Sequence, residues 1–353
     1  VRLSARRTLL AAALALTLAA CGSHDEPKVV VGARAENFRV LYRVVRGTAA
    51  SARDVSWEVL SVKRPFLASD LTFGSRPNLH SLGEPVSGTL TDIDHLYAVD
   101  GAHVRTIAGR QPGLPTGDQA LLDVTTLATR HNLARVMGTA RVIGRACTIV
   151  RFLEPPVGGL DPLRDDKGHD DLCIARDGIV LRETWTLKGR VVQSRVAVEI
   201  TKAPDDAFDT TNAEPLPGGV AAPRVEPLRD VPGPPAPAGY TLATAVDFFF
   251  PRADDATQLA YASKVWAYAK GADEITVEQG AGQVRPWSAA QETPLRLGSR
   301  QAAYVVRSDG IEIHWTTAQT WVRVRGATSL AALVPYALLV SNSDSSPAAL
   351  VPK

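Results

Sequence analysis

Few of the 353 residues have side chains whose type and spacing suit chemistry. Seven histidines, at 24, 80, 95, 103, 131, 169 and 314, are scattered, with no His-x-x-x-His or Glu-x-x-His pair to grip a metal ion. His95 and His103 flank Asp100-Gly101 and would face each other across a hairpin, but two ligands fall short of a site. Asp161, Asp165, Asp166, Asp170 and Asp171, with Gly168 and His169, offer oxygens without the alternate spacing and distal Glu of a calcium loop. Lys167 interrupts them, so the run reads as a solvated loop. A nucleophile would need a Gly-x-Ser-x-Gly elbow or a Ser-x-x-Lys pair, and neither occurs. Gly280-Ala281-Gly282 is half a dinucleotide fingerprint without its strand–turn–helix setting. No catalytic residue, metal site or cofactor is therefore expected. The chain reads as a binding protein.

The three cysteines carry more information. Arg2, Arg6 and Arg7 precede an apolar run from Leu9 to Ala20, too short to span a bilayer as a helix, and then Cys21. Leu18-Ala19-Ala20-Cys21-Gly22 resembles a bacterial lipobox. That resemblance implies a signal peptide over 1–20 and a diacylglycerol on the Cys21 thiol. The other reading is an ordinary signal followed by an incidental cysteine. Arg6-Arg7 fits a twin-arginine or a general secretory route. Either way the chain is exported. In an oxidising compartment the remaining pair, Cys147 and Cys173, suggests a disulfide, with two buried free thiols as the alternative.

Composition narrows the class further. The formal charge of +2 becomes −1 once Arg2, Arg6 and Arg7 are removed, leaving 36 basic against 37 acidic residues. Nucleic-acid binding loses its electrostatic support. A hydrophobic content of 45% excludes a disordered chain, and the length suggests roughly two domains at ~150 residues each. A tether over 21–28 precedes a domain over 29–203. Eight of the twenty-three residues from Pro215 to Pro237 are proline, which marks 204–239 as a semi-rigid linker. A smaller domain follows over 240–345, then a tail over 346–353.

Period-two alternation dominates the first domain. Phe38, Val40, Tyr42 and Val44 share a face, with Arg39 and Arg43 on the other; Val55, Trp57 and Val59 repeat the pattern. Val192, Val196, Val198 and Ile200 alternate with Gln193, Arg195 and Glu199, predicting a wet side for those polar residues. Asp100-Gly101, Asp177-Gly178 and Lys188-Gly189 are hairpin turns, so 172–200 is a three-stranded meander with Cys147 beside it. Asp118 to His131 has helical spacing. In the second domain Asp254 to Lys270 predicts a helix, with Leu259, Ala262, Val265, Trp266 and Ala269 on one stripe. Strands follow at 274–279, 301–307, 310–316 and 320–325, with Asp309-Gly310 as a turn and Ser329 capping a helix over 330–340. Trp315 and Trp321 would pack beneath that helix.

The meander from Leu172-Cys173-Ile174 through Leu181-Arg182-Glu183 to Ile200 is similar to strands of the LolA-like superfamily of bacterial envelope proteins. Ile311-Glu312-Ile313-His314-Trp315 and the following helix resemble the small domains of envelope regulators. The superfamily includes lipoprotein and lipid carriers and the RseB/MucB type of sigma-factor regulator. The resemblance implies an α+β fold: a curved antiparallel sheet (a half-barrel) covered by helices over an apolar cavity, plus a smaller sheet-plus-helix domain. Tyr42, Trp57 and Trp185 are then candidates for the cavity wall, against the plainer reading of ordinary core. The implied ligand is a lipid or lipoprotein acyl chain; the alternative is a regulator binding an anti-sigma factor or other membrane partner. A Cys147–Cys173 bridge and a lipid anchor depart from the soluble carriers, and no client-binding residue can be carried over. The expected location is the extracytoplasmic face of the cell membrane.

Overall fold

In the computed structural model, residues 35–47, 54–109, 134–152, 168–187, 189–216, 222–228, 232–251, 259–281, 292–307, 310–317, 320–326 and 328–343 are described. The expected lipid-attachment cysteine, the helix over 118–131 and the acidic residues 161–166 lie outside them, as does Asp309.

The alternating segments become two antiparallel sheets. The first contains β1 (Asn37–Arg46), β2 (Asp54–Lys63), β3 (Leu67–Phe73), β4 (Ser87–Thr91), β5 (His95–Asp100), β6 (His103–Gly109), β7 (Ala134–Val142), β8 (Arg145–Phe152), β9 (His169–Ala175), β10 (Val180–Leu187) and β11 (Arg190–Thr201). Its order is β6-β5-β4-β3-β2-β1-β11-β10-β9-β8-β7. Ten-residue β1 pairs with β2 on one side and β11 on the other. Gly101 and Gly178 adopt positive φ in their hairpin turns, as Asp-Gly requires. The predicted meander is β9-β10-β11, and β8 lies beside it. Cys147 on β8 and Cys173 on β9 form the disulfide, with Cα atoms 5.3 Å apart.

The second sheet contains β12 (Arg224–Pro227), β13 (Thr241–Pro251), β14 (Leu259–Lys270), β15 (Asp273–Ala281), β16 (Thr293–Leu297), β17 (Arg300–Arg307), β18 (Gly310–Thr316) and β19 (Thr320–Gly326). Its order is β12-β13-β14-β15-β19-β18-β17-β16. Helix α1 (Leu330–Ser343) packs on one face, where Leu333, Tyr336, Ala337 and Val340 meet Ile313, Trp315, Val322 and Val324. The Ser329 side chain caps it, its Oγ accepting the Ala332 N–H at 3.2 Å.

Two expectations about helices change. The segment 259–270 is strand β14, paired with β13 from Leu259 to Ala269 and with β15 from Ser263 to Lys270. Val265, Trp266, Ala267 and Tyr268 are consecutive and all buried, because a central strand covered on both faces needs an unbroken apolar run. Such a run also satisfies helical spacing, so the stripe could not discriminate. The helices expected over the first sheet are not seen: among the described residues α1 is the one α-helix, and it belongs to the second sheet. No described helix is long and apolar enough to cross a membrane.

The proline-rich segment is also more than a spacer. Glu214 bridges β6 in parallel, with Glu214 N–H donating to Val104 and Thr106 N–H donating to Glu214. Pro223 accepts the Gly109 N–H at 2.7 Å, and β12 then joins β13. Further on, Tyr268 Oη donates to the Pro234 carbonyl and Tyr336 Oη to that of Pro235. Gly233 lies against the Trp266 ring, where a Cβ would come within 2.6 Å of it. Proline removes donors but leaves every carbonyl, so this strap is held largely through its acceptors.

Replacing Cys147 and Cys173 with serine is expected to lower stability by about 3–4 kcal/mol, the loop-closure effect of a 26-residue separation. Urea denaturation of the oxidised and substituted proteins measures it; a difference under ~1 kcal/mol would mean that the β8–β9 ladder already restrains the unfolded chain.

Candidate functional site

The first sheet has two unlike faces. One gathers Phe38, Val40, Tyr42 and Val44 with Leu60, Val62, Leu181, Ala197 and the disulfide, a buried apolar cluster drawn from eight strands. On the other, Leu41, Val59, Phe73 and Leu79 pack with Trp57 and Leu82. Arg39 stiffens that second face: its Nε donates to Ser61 Oγ at 2.9 Å and a terminal nitrogen to the Leu79 carbonyl at 2.8 Å.

This arrangement separates the three aromatic residues expected along one wall. Tyr42 is fully buried, and its hydroxyl donates to the Val180 carbonyl at 2.7 Å. Trp57 sits opposite Arg43 in the β1–β2 ladder, whereas Tyr42 sits opposite Glu58. Neighbours along a strand point to opposite faces, so Trp57 belongs to the other side, where Arg76 lies 5.6 Å from its ring centroid. Trp185, opposite Gln193, is half-buried on the Tyr42 side. Tyr42 and Trp185 share a face; Trp57 does not.

Charges are built into the Tyr42 face. Arg195, expected on a wet surface, is buried with its guanidinium 3.9 Å from the Tyr42 ring centroid. It pairs with Glu58 at 2.5 Å and Glu183 at 3.3 Å, linking β11, β2 and β10 across β1. The second sheet repeats the device on its face away from α1. Arg323 Nε donates to Glu278 Oε2 at 2.8 Å, and Ser263 Oγ donates to Glu278 Oε1 at 2.6 Å. Glu312 lies 3.7 Å from Arg323 and 3.5 Å from His314, whose Nε2 meets Glu292 at 3.1 Å. Glu278 and Glu312 are 2% and 1% exposed, so these carboxylates depend on their partners. Trp321 is on this face too, stacked over Gly280, and not beneath α1 as expected; a Cβ on Gly280 would fall 2.1 Å from the ring. Trp315 does pack under the helix.

A third polar cluster sits at the β4–β5 turn. Ligand atoms of Asp92, Asp94 and His95 lie within 4.8 Å of one another, a spacing a divalent ion could use. Their acceptors are already engaged: Asp92 Oδ1 takes the N–H groups of Asp94 and His95, and Oδ2 the Tyr97 hydroxyl at 2.5 Å. His95 Nδ1 meets Asp94 Oδ1 at 2.7 Å. His103 is far from this group, because the ladder sets it opposite Asp100 at the other end of the hairpin from His95. Within the described part of the acidic run, Asp171 is bound bidentately by Arg151. Sequence spacing missed all three clusters. The charged ones share one signal: Glu and Arg at alternate positions of strands whose other positions are apolar.

Two sets of measurements follow from this geometry. Arg323→Met strands the buried Glu278 and Glu312 and is expected to cost about 3–5 kcal/mol by chemical denaturation. Arg195→Met, whose partners Glu58 and Glu183 are only partly buried, is expected to cost less, about 1–3 kcal/mol. A cost under ~1 kcal/mol would mean water reaches the acids. For the corner, the Asp94 hydrogen bond raises the His95 pKa, and the same bond lowers that of Asp94. The histidine's contribution is present below 6.5 and fades as pH rises through its raised value; the aspartate's is present above 3.8 and fades as pH falls through its lowered value. The pair therefore stabilises most between 3.8 and 6.5. His95→Asn should lower the unfolding free energy most near pH ~5.5 and little at pH ~9, by under ~1 kcal/mol for this partly exposed pair, as read by urea denaturation across pH.

No family model and no curated protein sequence matches the chain. Among solved structures it is similar to MucB in complex with MucA(peri), at 16% identity and a TM-score of 0.30, covering 86% of this chain and 92% of that one. It is similar to MucB alone at 18% identity and a TM-score of 0.27, covering 88% and 94%. A LolA superfamily protein, NE2245 from Nitrosomonas europaea, aligns at 10% identity and a TM-score of 0.25, over 52% of this chain and 93% of that one.

Proposed function

We propose that this chain is an exported, non-enzymatic binding protein, anchored at the extracytoplasmic face of the cell membrane through a diacylglyceryl Cys21. Its first unit, 29–203, takes a lipid or lipoprotein acyl chain along the Tyr42 face. The observation that carries this reading is the apolar cluster spanning eight strands of a single sheet. Burial supplies the mechanism: at ~0.8 kcal/mol per methylene removed from water, a long acyl chain binds without a specific polar contact. Arg195 is matched to Glu58 and Glu183, so the charges on that face are satisfied within the protein. The anchor keeps the face at the membrane, where a chain is taken up or passed on.

A second reading is a regulator of the RseB/MucB type that binds an anti-sigma factor or another membrane protein. The strap favours it, because Glu214, Pro223 and Pro234–Pro235 tie 204–239 to both sheets and would carry strain from the first unit to the second, 240–345.

Native mass spectrometry of the exported chain carrying Cys21→Ser, purified without detergent, separates the two. A discrete bound mass that extracts into organic solvent is the expected result. A clean unliganded mass that persists when membrane lipids are offered would overturn the acyl-chain reading and leave the regulator.

A further inference from the structure

An antiparallel sheet that does not close leaves an edge at each end, and each edge offers backbone groups to another strand. Three of the four edges here are obstructed. The outer side of β6 is occupied by Glu214 and Pro223 of the strap. β12 is four residues long and ends in Pro227. β16 is five residues long with Pro294 second. The fourth edge, β7, differs. It has nine residues and no proline, and among the described residues it pairs with β8 alone. A register shift at Met137 turns that side chain outward, leaving Gly138–Val142 regular against Arg145–Ile149.

The side chains of β7 say what would fit there. Arg135, Met137, Thr139 and Arg141 are exposed, while Ala140 and Val142 turn toward the apolar cluster. On the adjoining strand Arg145 and Arg151 are neutralised by Asp177 and Asp171. No acid among the described residues pairs with Arg135 or Arg141, although Arg135 stands directly opposite Arg151. Among the described residues the edge therefore carries two uncompensated positive charges flanking an exposed methionine. The shift at Met137 sends Arg135, opposite Arg151, and Arg141, opposite Ala146, to opposite faces of the sheet. A second copy of this chain is a poor occupant. Edge-to-edge pairing of β7 with itself would bring Arg135 and Arg141 of both copies to one seam, with no acid on that strand to offset them.

We propose that the β7 edge is a docking site for an extended, acidic segment of a partner polypeptide, which adds as a further strand with its carboxylates against Arg135 and Arg141. Backbone hydrogen bonds supply the ladder and the arginines choose the charge of the partner. The site is independent of whether the Tyr42 face holds an acyl chain.

The test uses the full exported chain carrying Cys21→Ser and two synthetic eight-residue peptides of valine and threonine. One has glutamate at its second and seventh positions and the other lysine there, the spacing of Arg151 and Ala146, which stand opposite Arg135 and Arg141 on β8. Fluorescence anisotropy is expected to show the acidic peptide binding at least about tenfold more tightly, the effect of two exposed ion pairs against two repulsions. Hydrogen exchange should slow over 134–142 when it is added. Arg135→Glu combined with Arg141→Glu should invert the preference, a result that misfolding cannot imitate. Equal binding of both peptides, no binding of either, or protection mapped away from β7 would overturn the proposal. So would a concentration-dependent dimer that protects β7, since the occupant would then be a second copy.

Discussion

Each sheet depends on one long-range seam. In the first, every neighbouring pair of strands is consecutive in the chain except β1 with β11. In the second, the exception is β15 with β19. Most consecutive strands pair cheaply because short turns join them, whereas each seam must close a far longer stretch of chain before its ladder returns any free energy. Both seams carry a buried arginine bound to glutamate. Arg195 reaches over the Tyr42 ring from β11 to Glu58 on β2, and Arg323 on β19 holds Glu278 directly opposite on β15. Desolvation makes such a pair a weak source of net stability. A slipped register, however, would leave buried charge unpaired. The pairs act as selectors of register at the two places where local turns select nothing.

The same constraint explains the strap. A meander on each side of a seam leaves two outer strands, and the chain leaving β11 passes the free side of β6 on its way to the second sheet. Glu214 and Pro223 cover that side with their backbone, then β12 begins the next sheet at once. Connection and edge protection are therefore one element. The farther strand, β7, lies beyond β8 at the opposite end of the sheet, out of reach of this segment.

The two faces of the first sheet have different work. Loop residues Leu79 and Leu82 cover the Trp57 face, pinned by Arg39 through the Leu79 carbonyl. The Tyr42 face is broader and includes the disulfide, which ties β8 to β9 within the same apolar cluster. Tyr42 serves as a joint in it, with its ring under Arg195 and its hydroxyl on β10's Val180. A ligand on this face would meet a surface whose shape is held by covalent and ionic cross-links rather than by packing alone.

Much of the architecture was legible from local pattern. Alternation in 38–44 and 172–200, the Asp-Gly turns and the Ser329 cap each act over a few residues, so residue order determined β1, the β9-β10-β11 meander and α1. The even pair of cysteines left beside Cys21 pointed to the disulfide. What residue order left open concerns partners distant in the chain. A continuous apolar run cannot say whether one stripe or two faces will be covered, and β14 was decided by having β13 and β15 on its flanks. Arg195 resembles any polar residue at a wet strand position until β1 brings Tyr42 beneath it and β2 brings Glu58 within reach. Trp57 and Tyr42 look equivalent in composition, yet the parity of the β1–β2 register sends them to opposite faces. Local free energies act within a turn or a hairpin; which charge is buried and which aromatic rings share a surface are settled only when the seams close.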